Sequence, residues 1–211
     1  MKIAGSFLKI ADDKEKIKDL ESVVDQIHFD VMDGKFTEKS TLSFNVLEKN
    51  LKGINKKMDI HLMVINIKKY VDEVLKFRPS YITFHIEATD NPEYYIKYIK
   101  EKNLKVGMAI NPETNIKDLL PYLKIIDLVL IMSVPPGKGG QKFIDISEKI
   151  KKLYEYRKNN NLSYMIEVDG GINSSTIKKI KKADIAVAGS FITDSNDYQK
   201  QVELLRGDSD E

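Results

Sequence analysis

The sequence predicts an α/β fold in which strands and helices alternate and close into a single-domain (β/α)8 barrel, and three observations carry that expectation. Short apolar runs alternate with longer, amphipathic, lysine-rich segments. The alternation recurs eight times, at about 25 residues per unit. The short runs are apolar throughout instead of apolar on every second residue, the pattern of parallel strands covered on both faces. A doubly wound open sheet is the other arrangement such alternation allows. The eight-fold count favours the barrel, although 211 residues is short for one.

Element by element, the first strand is expected over Ile3–Leu8 and its helix over Lys14–Val24. The second unit pairs Gln26–Met32 with Phe44–Lys52, and the third Met58–Val64 with Ile67–Phe77. In the fourth, Tyr81–His85 precedes a helix over Pro92–Lys102, where Asn91 is a cap residue placed before a proline at the first helical position. Lys105–Ile110 and Ile116–Leu123 form the fifth unit, Leu128–Val134 and Ile146–Asn159 the sixth. The seventh joins Tyr164–Val168 to Ser175–Lys181, with Asn173, Ser174 and Ser175 offering caps, and the eighth joins Ile185–Ala188 to Asp197–Leu205. The barrel domain is thereby expected over residues 1–206, with 207–211 as a frayed acidic tail.

Composition excludes several classes. A net charge of +2, from 34 basic and 32 acidic side chains, gives no reason to expect a nucleic-acid or membrane partner. Without cysteine there are neither disulfides nor thiolate metal sites. No segment approaches a membrane span and the first residues lack the apolar run of a signal peptide, so a soluble cytoplasmic protein is expected.

The chemistry lies in His28-Phe29-Asp30-Val31-Met32-Asp33-Gly34, in His61-Leu62-Met63 and in Asp169-Gly170-Gly171. Residues two apart on a strand share a face, so His28, Asp30 and Met32 line one side of the second strand, and His61 and Met63 one side of the third. Two histidines and two aspartates at strand ends can hold a divalent metal with nitrogen and oxygen ligands, and the two carboxylates can serve as acid and base. Ser6 and Met132 fall at the same C-terminal strand ends, where barrel active sites gather. Met32, Met63 and Met132 there suggest a soft, dry pocket lining. His85 reads as a residue supporting the site and Asp33 as a turn or capping carboxylate. A second constellation is glycine-rich: Gly137-Lys138-Gly139-Gly140 after the sixth strand, Gly170-Gly171 after the seventh, and Gly189-Ser190 after the eighth. Backbone N–H groups exposed by such loops at one barrel rim suit a phosphate.

The segments HFDVMDGKF, DIHLMV, ITFHIEA, VGMAINPET, LVLIMSVPPGKGGQKFI, IEVDGGIN and AGS resemble, in order and spacing, those of the ribulose-phosphate 3-epimerase family over nearly the whole chain. The resemblance implies a TIM barrel of the ribulose-phosphate-binding type that holds one divalent metal through His28, Asp30, His61 and Asp169. It implies Asp30 and Asp169 as the acid–base pair, and Ser6, Met32, His61, Met63 and Met132 as pocket residues. Gly137, Gly139, Gly140, Gly170, Gly171, Gly189 and Ser190 match the substrate-binding loops. The metal is expected to be zinc, with iron, manganese or cobalt as alternatives. The implied reaction is metal-dependent epimerisation at C3, D-ribulose 5-phosphate to D-xylulose 5-phosphate, in the non-oxidative pentose phosphate pathway, by a protein that self-associates.

The chain departs from the family pattern at four places. Thr37-Glu38-Lys39 follows Phe36 where Val-Pro-Asn is common, Lys138 replaces an aromatic lid residue, Ile86 stands where proline is usual, and Gly5 precedes Ser6 where proline often does. None removes a metal or acid–base position. Lys138 is expected to close over the sugar phosphate as a lid residue. Thr41-Leu42-Ser43 and the altered lid leave D-allulose 6-phosphate as an alternative substrate, and a non-catalytic sugar-phosphate-binding barrel is the remote alternative.

Overall fold

Eight parallel strands close on themselves in chain order: β1 (Lys2–Ser6), β2 (Gln26–Met32), β3 (Met58–Met63), β4 (Tyr81–His85), β5 (Lys105–Ile110), β6 (Leu128–Met132), β7 (Met165–Asp169) and β8 (Ile185–Ala188). This computed structural model describes residues 1–138 and 140–207, so Gly139 and positions 208–211 of the expected tail lie outside the described residues. The helices are α1 (Lys14–Val23), α2 (Phe44–Asn50), α3 (Ile67–Val74), α4 (Pro92–Lys100), α5 (Ser147–Asn159), α6 (Ser190–Thr193) and α7 (Tyr198–Arg206). The predicted caps are used: Asn91 accepts from the Tyr94 N–H ahead of Pro92, and Asn173 Oδ1 accepts from the N–H groups of Ser175 and Thr176.

Two predicted helices shrink to 3₁₀ turns. The segment expected over Ile116–Leu123 is helical only at Ile116–Leu119: Leu120 keeps helical backbone angles, but Pro121 supplies no N–H to continue the bonding. The one expected over Ser175–Lys181 is helical only at Ile177–Lys179. There the Thr176 hydroxyl bonds back to the Gly171 carbonyl and holds the chain against the β7 loop. β1 stops at Ser6 because Leu8–Ile10 curls into a 3₁₀ turn. β7 extends one residue further than expected, so Asp169 belongs to the strand. The short α6 has no counterpart among the predicted helices.

Two hydrophobic clusters divide the interior. The larger lies between strands and helices and contains outward-facing strand residues such as Phe29, Ile60, Phe84 and Val168 with helix residues such as Leu20, Val71 and Leu153. The smaller lies inside the barrel and contains Ala4, Ala109, Leu128, Leu130, Met132, Val134, Ile185 and Val187. It is lined by β5, β6, β8 and β1. Strands β2, β3 and β4 carry the buried polar residues Gln26, His28, Asp30, Asp59, His61, Thr83 and His85, and Glu167 joins them from β7, which lies between β6 and β8. Parallel strands that bury charge on one side of a barrel need those groups paired, and the pairing defines the site.

Candidate metal and acid–base site

The strand register assembles the site. Asp30 is the cross-strand partner of His61, His28 of Ser6 on one side and Asp59 on the other, and Asp169 of Met132. His28, Asp30, His61 and Asp169 come together as expected, with one ligand atom from each lying within 4.8 Å of the others. Asp30 Oδ1 faces both rings, 3.2 Å from His28 Nε2 and 3.1 Å from His61 Nδ1, while Asp30 Oδ2 accepts from the Ser6 hydroxyl at 2.9 Å.

The two aspartates differ in charge state. Burial acts to raise Asp30, but the facing His28 and His61 outweigh it and hold its carboxyl well below the usual range. Burial, reinforced by the Asp30 charge, pushes Asp169 up to about 7. The pair thus combines an ionised carboxylate with one that holds a proton near neutrality, the separation that acid–base chemistry across one substrate requires. His28 is affected first by burial, which lowers it, yet Asp59 and Asp30 overcome this and raise it well above the ordinary value.

Behind the four residues stand partners that sequence reasoning did not single out. His28 Nδ1 lies 2.5 Å from Asp59 Oδ1, an ion-pair contact without the alignment of a directed hydrogen bond. Gln26 Nε2 donates to the other Asp59 oxygen. On the opposite flank His61 Nε2 lies 2.8 Å from His85 Nε2, and His85 Nδ1 is 3.1 Å from Glu87 Oε2. His85 therefore supports the site as expected. Below them Glu167 is fully buried with neither oxygen hydrogen-bonded, and burial, then the Asp59 charge, raises it well above the ordinary carboxylate value. A signal was present: Gln26, Asp59 and Glu167 each precede a singled-out residue by two, and Glu87 follows His85 by two.

The cavity above is about 650 Å³, counting its mouth, and is lined among others by Ser6, Asp30, Met63, Met132, Asp169 and Ser190. Gly137, Lys138, Gly140, Gly170, Gly171 and Gly189 also face it. Gly170 and Gly171 have φ of +116° and +61°, and a Cβ would come within 2.5 Å of Val134 and 2.9 Å of the Phe143 nitrogen. Only glycine fits these turns, and the loop backbone is thereby brought to the cavity. His28 and His61 lie beneath the floor, buried behind Asp30. Met32 lines the neighbouring cavity, with Phe7, Phe29 and Thr41, and shares only Asp30, Leu8 and Lys9 with the first. Lys138 Nζ pairs with Glu38 Oε2 at 3.2 Å, both side chains largely exposed. Asp33 is a turn residue as expected: it accepts from the N–H groups of Lys35, Phe36 and Ile65.

The donor set suits a divalent cation. Two imidazole nitrogens point at one oxygen of an ionised carboxylate, a second carboxylate completes the ring, and three of the groups are buried while Asp169, partly exposed, faces the cavity.

Residues 2–193 match the family model described as the Ribulose-phosphate 3 epimerase family. A curated relative named Ribulose-phosphate 3-epimerase from Helicobacter pylori (strain J99) is 37% identical over 98% of this chain and 97% of its own length. One of the same name from Escherichia coli (strain K12) is 35% identical over 98% of this chain and 92% of its own. Among solved structures, the 3-hexulose-6-phosphate synthase from Salmonella typhimurium superposes with a TM-score of 0.71 at 17% identity, covering 98% of this chain and 97% of that one. KGPDC from Streptococcus mutans superposes with a TM-score of 0.69 at 15% identity, covering 98% of this chain and 95% of that one. At these identities the structures establish the barrel, and the curated relatives carry the family.

Proposed function

The chain belongs to the ribulose-phosphate 3-epimerase family, and from that premise we propose that it interconverts D-ribulose 5-phosphate and D-xylulose 5-phosphate by two-carboxylate proton transfer at C3, as part of the non-oxidative pentose phosphate pathway. The observation that carries this reading is that Asp30 and Asp169 line one cavity floor together, with carboxylate oxygens within 4.8 Å of each other. Inverting a carbon beside a ketone needs a base on one face and an acid on the other. One of Asp30 and Asp169 takes the C3 proton from one face and the other returns a proton to the opposite face; the reverse reaction exchanges the roles. Ser6, donating to Asp30 Oδ2, fixes the carboxylate plane for the transfer.

One divalent metal, zinc in our reading, would be held by His28, Asp30, His61 and Asp169, and would supply Lewis-acid stabilisation of the enediolate oxygens. Met63 and Met132 cover the flat intermediate with groups that offer it no proton. The backbone of Gly140, Gly170, Gly171, Gly189 and Ser190, together with Gly139 and Gly137, binds the substrate phosphate, and Lys138 closes over it. Phosphate binding remote from C3 orients the sugar for both transfers. The curated relatives reported above are named for the five-carbon substrate, which supports it over the six-carbon one. No helix among the described residues is long and apolar enough to cross a membrane, and we place the enzyme in the cytoplasm, as a homo-oligomer.

Deuterium wash-in at C3 of D-ribulose 5-phosphate in D₂O tests the reading. Incorporation with formation of D-xylulose 5-phosphate is expected. Binding of the sugar phosphate without exchange would reduce the protein to a binding barrel.

A further inference from the structure

Asp30, His61, His85 and Glu87 form one unbroken line of polar contacts across three strand ends. The links are His61 Nδ1 to Asp30 Oδ1 at 3.1 Å, His61 Nε2 to His85 Nε2 at 2.8 Å, and His85 Nδ1 to Glu87 Oε2 at 3.1 Å. Both rings are fully buried and stacked, with centroids 5.0 Å apart, and Phe36 packs on His85 at 4.8 Å. Neither ring is free to turn. The nitrogen–nitrogen link requires one ring to offer a lone pair and the other an N–H.

Counting hydrogens settles what each end of the line receives. A metal at the position beside Asp30 needs a lone pair on His61 Nδ1, which puts the His61 hydrogen on Nε2 and makes His85 Nε2 the acceptor of the nitrogen–nitrogen link. The His85 hydrogen is then on Nδ1, so two N–H groups serve the three contacts of the line and one contact goes without a hydrogen. At the Glu87 end, Oε2 has His85 as its sole hydrogen-bond donor among the described residues. At the Asp30 end, the carboxylate already faces the His28 ring and accepts from Ser6. The hydrogen goes to Glu87, and the contact without one is His61 to Asp30.

We propose that Glu87 and His85 are positioning residues that fix the tautomer of His61, keeping its Nδ1 unprotonated and aimed at the metal position beside Asp30. The inference rests on the metal site proposed above. It extends that site to a residue on the β4 loop which touches neither the cavity nor the four ligands. It also explains why Glu87 is itself clamped: Oε1 accepts from the backbone N–H of Asn111 at 2.8 Å and from the Thr114 hydroxyl.

That clamp gives the test its sign. In Glu87→Gln the backbone N–H of Asn111 holds the amide oxygen on its own side and turns the amide NH₂ toward His85 Nδ1. His85 must then carry its hydrogen on Nε2 and donate it to His61, which places the His61 hydrogen on Nδ1, where a metal needs a lone pair. Glu87→Ala removes the constraint without inverting it. A packing role for Glu87 predicts that the isosteric Gln is milder than Ala; the tautomer role predicts the reverse. Two measurements decide, with circular dichroism melts confirming that both variants fold. First, ¹⁵N NMR of the metal-free protein should show a pyridine-like His61 Nδ1 in the wild type and a pyrrole-like one in Glu87→Gln. Second, Co²⁺ titration should show affinity reduced by about 10–100-fold in Glu87→Gln and by less in Glu87→Ala. A pyrrole-like His61 Nδ1 in the wild type, or Glu87→Gln binding Co²⁺ at least as tightly as Glu87→Ala, overturns the proposal. Failure of the wild type to bind Co²⁺ at all refutes the metal reading, while the NMR result judges the tautomer separately.

Discussion

His28 and His61 approach the same oxygen, Asp30 Oδ1, from opposite sides at nearly equal distances, yet they are held by different means. His28 is held by charge: Asp59 lies against Nδ1 in an unaligned ion-pair contact, and the ring is raised well above its ordinary value. His61 is held by directed contacts through a neutral imidazole, and burial lowers it. The difference teaches that one ligand must lose a proton before it can bind a cation, whereas the other is already bare. Of the two histidine arms, only that of His28 then holds a proton a cation must displace; Asp169, pushed up to about 7, adds its own share.

The largest effect is expected where the two arms meet. Asp30→Asn and Asp169→Asn should each lower kcat by about 10²–10⁴-fold or more, since each removes a general acid or base, while the fold persists. Retention of near-normal turnover by either variant would end the two-carboxylate assignment, and the comparison of the histidines would lose its catalytic meaning. Chelation should likewise abolish epimerisation, and His61→Ala should bind metal far more weakly than the wild type. Full activity in protein shown by elemental analysis to be metal-free would leave both rings as structural residues.

A sharper test separates the arms. Zinc binding to the wild type should release a proton from His28, seen as a dependence of the calorimetric heat on the buffer's ionisation enthalpy. Asp59→Asn removes the anion that raises His28 and should reduce that release at neutral pH. Glu87→Ala, which acts on the neutral arm, should leave it unchanged. Equal proton release in all three would show that the arms do not differ as described.

A smaller effect concerns the metal-free protein. Asp169 keeps its proton up to about 7 in the folded state, whereas an ordinary aspartate loses it near 3.8. Between those values the folded state binds more protons than the unfolded, so stability falls as pH rises through that window. His85, lowered to about 4, and His61 act in the opposite sense below about pH 6.5, so the Asp169 contribution is read as a difference: in metal-free protein Asp169→Asn should make Tm rise more steeply with pH between about 4 and 7 than it does in the wild type. Raised His28 acts in the same sense as Asp169 at higher pH: its contribution is present below 6.5 and is lost as pH rises through its elevated value. An Asp169→Asn profile parallel to that of the wild type between about pH 4 and 7 would contradict the Asp169 assignment.

Much of this was legible in the sequence, for an identifiable reason. Strand parity alone put His28, Asp30 and Met32, then His61 and Met63, on one side, and the register then made Asp30 and His61 neighbours. Parity did not say which cavity Met32 would reach, because the β2 loop over Lys39–Leu42 and the Leu8–Ile10 turn shape a separate one. Asp59 and Glu167 share the parity of His61 and Asp169 but sit one layer deeper, and nothing local distinguishes a buried carboxylate on a strand from an exposed one. The Pro121 interruption was readable, since proline cannot continue the helix expected over Ile116–Leu123. The tautomer line was not, because it depends on the distance between rings from β3 and β4 and on a loop nitrogen from Asn111.

The smallest expected effect lies at the cavity mouth, where the contrast between charge and directed geometry recurs in water. Lys138 meets Glu38 at 3.2 Å, with side chains 57% and 84% exposed, so their attraction is weak and screened. Both residues stand at departures from the family pattern, on loops that approach each other closely enough for a Gly137 Cβ to come within 2.7 Å of Thr37. If Lys138 leaves Glu38 to close over the substrate phosphate, it exchanges one exposed anion for a more highly charged one in a narrower space. Lys138→Ala should then raise KM by a few fold at low salt, with kcat nearly unchanged, and the difference should shrink as ionic strength rises. Glu38→Gln should do the opposite, lowering KM by freeing the ammonium. Were KM and kcat of both variants to match the wild type at every ionic strength, loop closure would run through the backbone of the glycine turn, and charge at the mouth would have no part in binding.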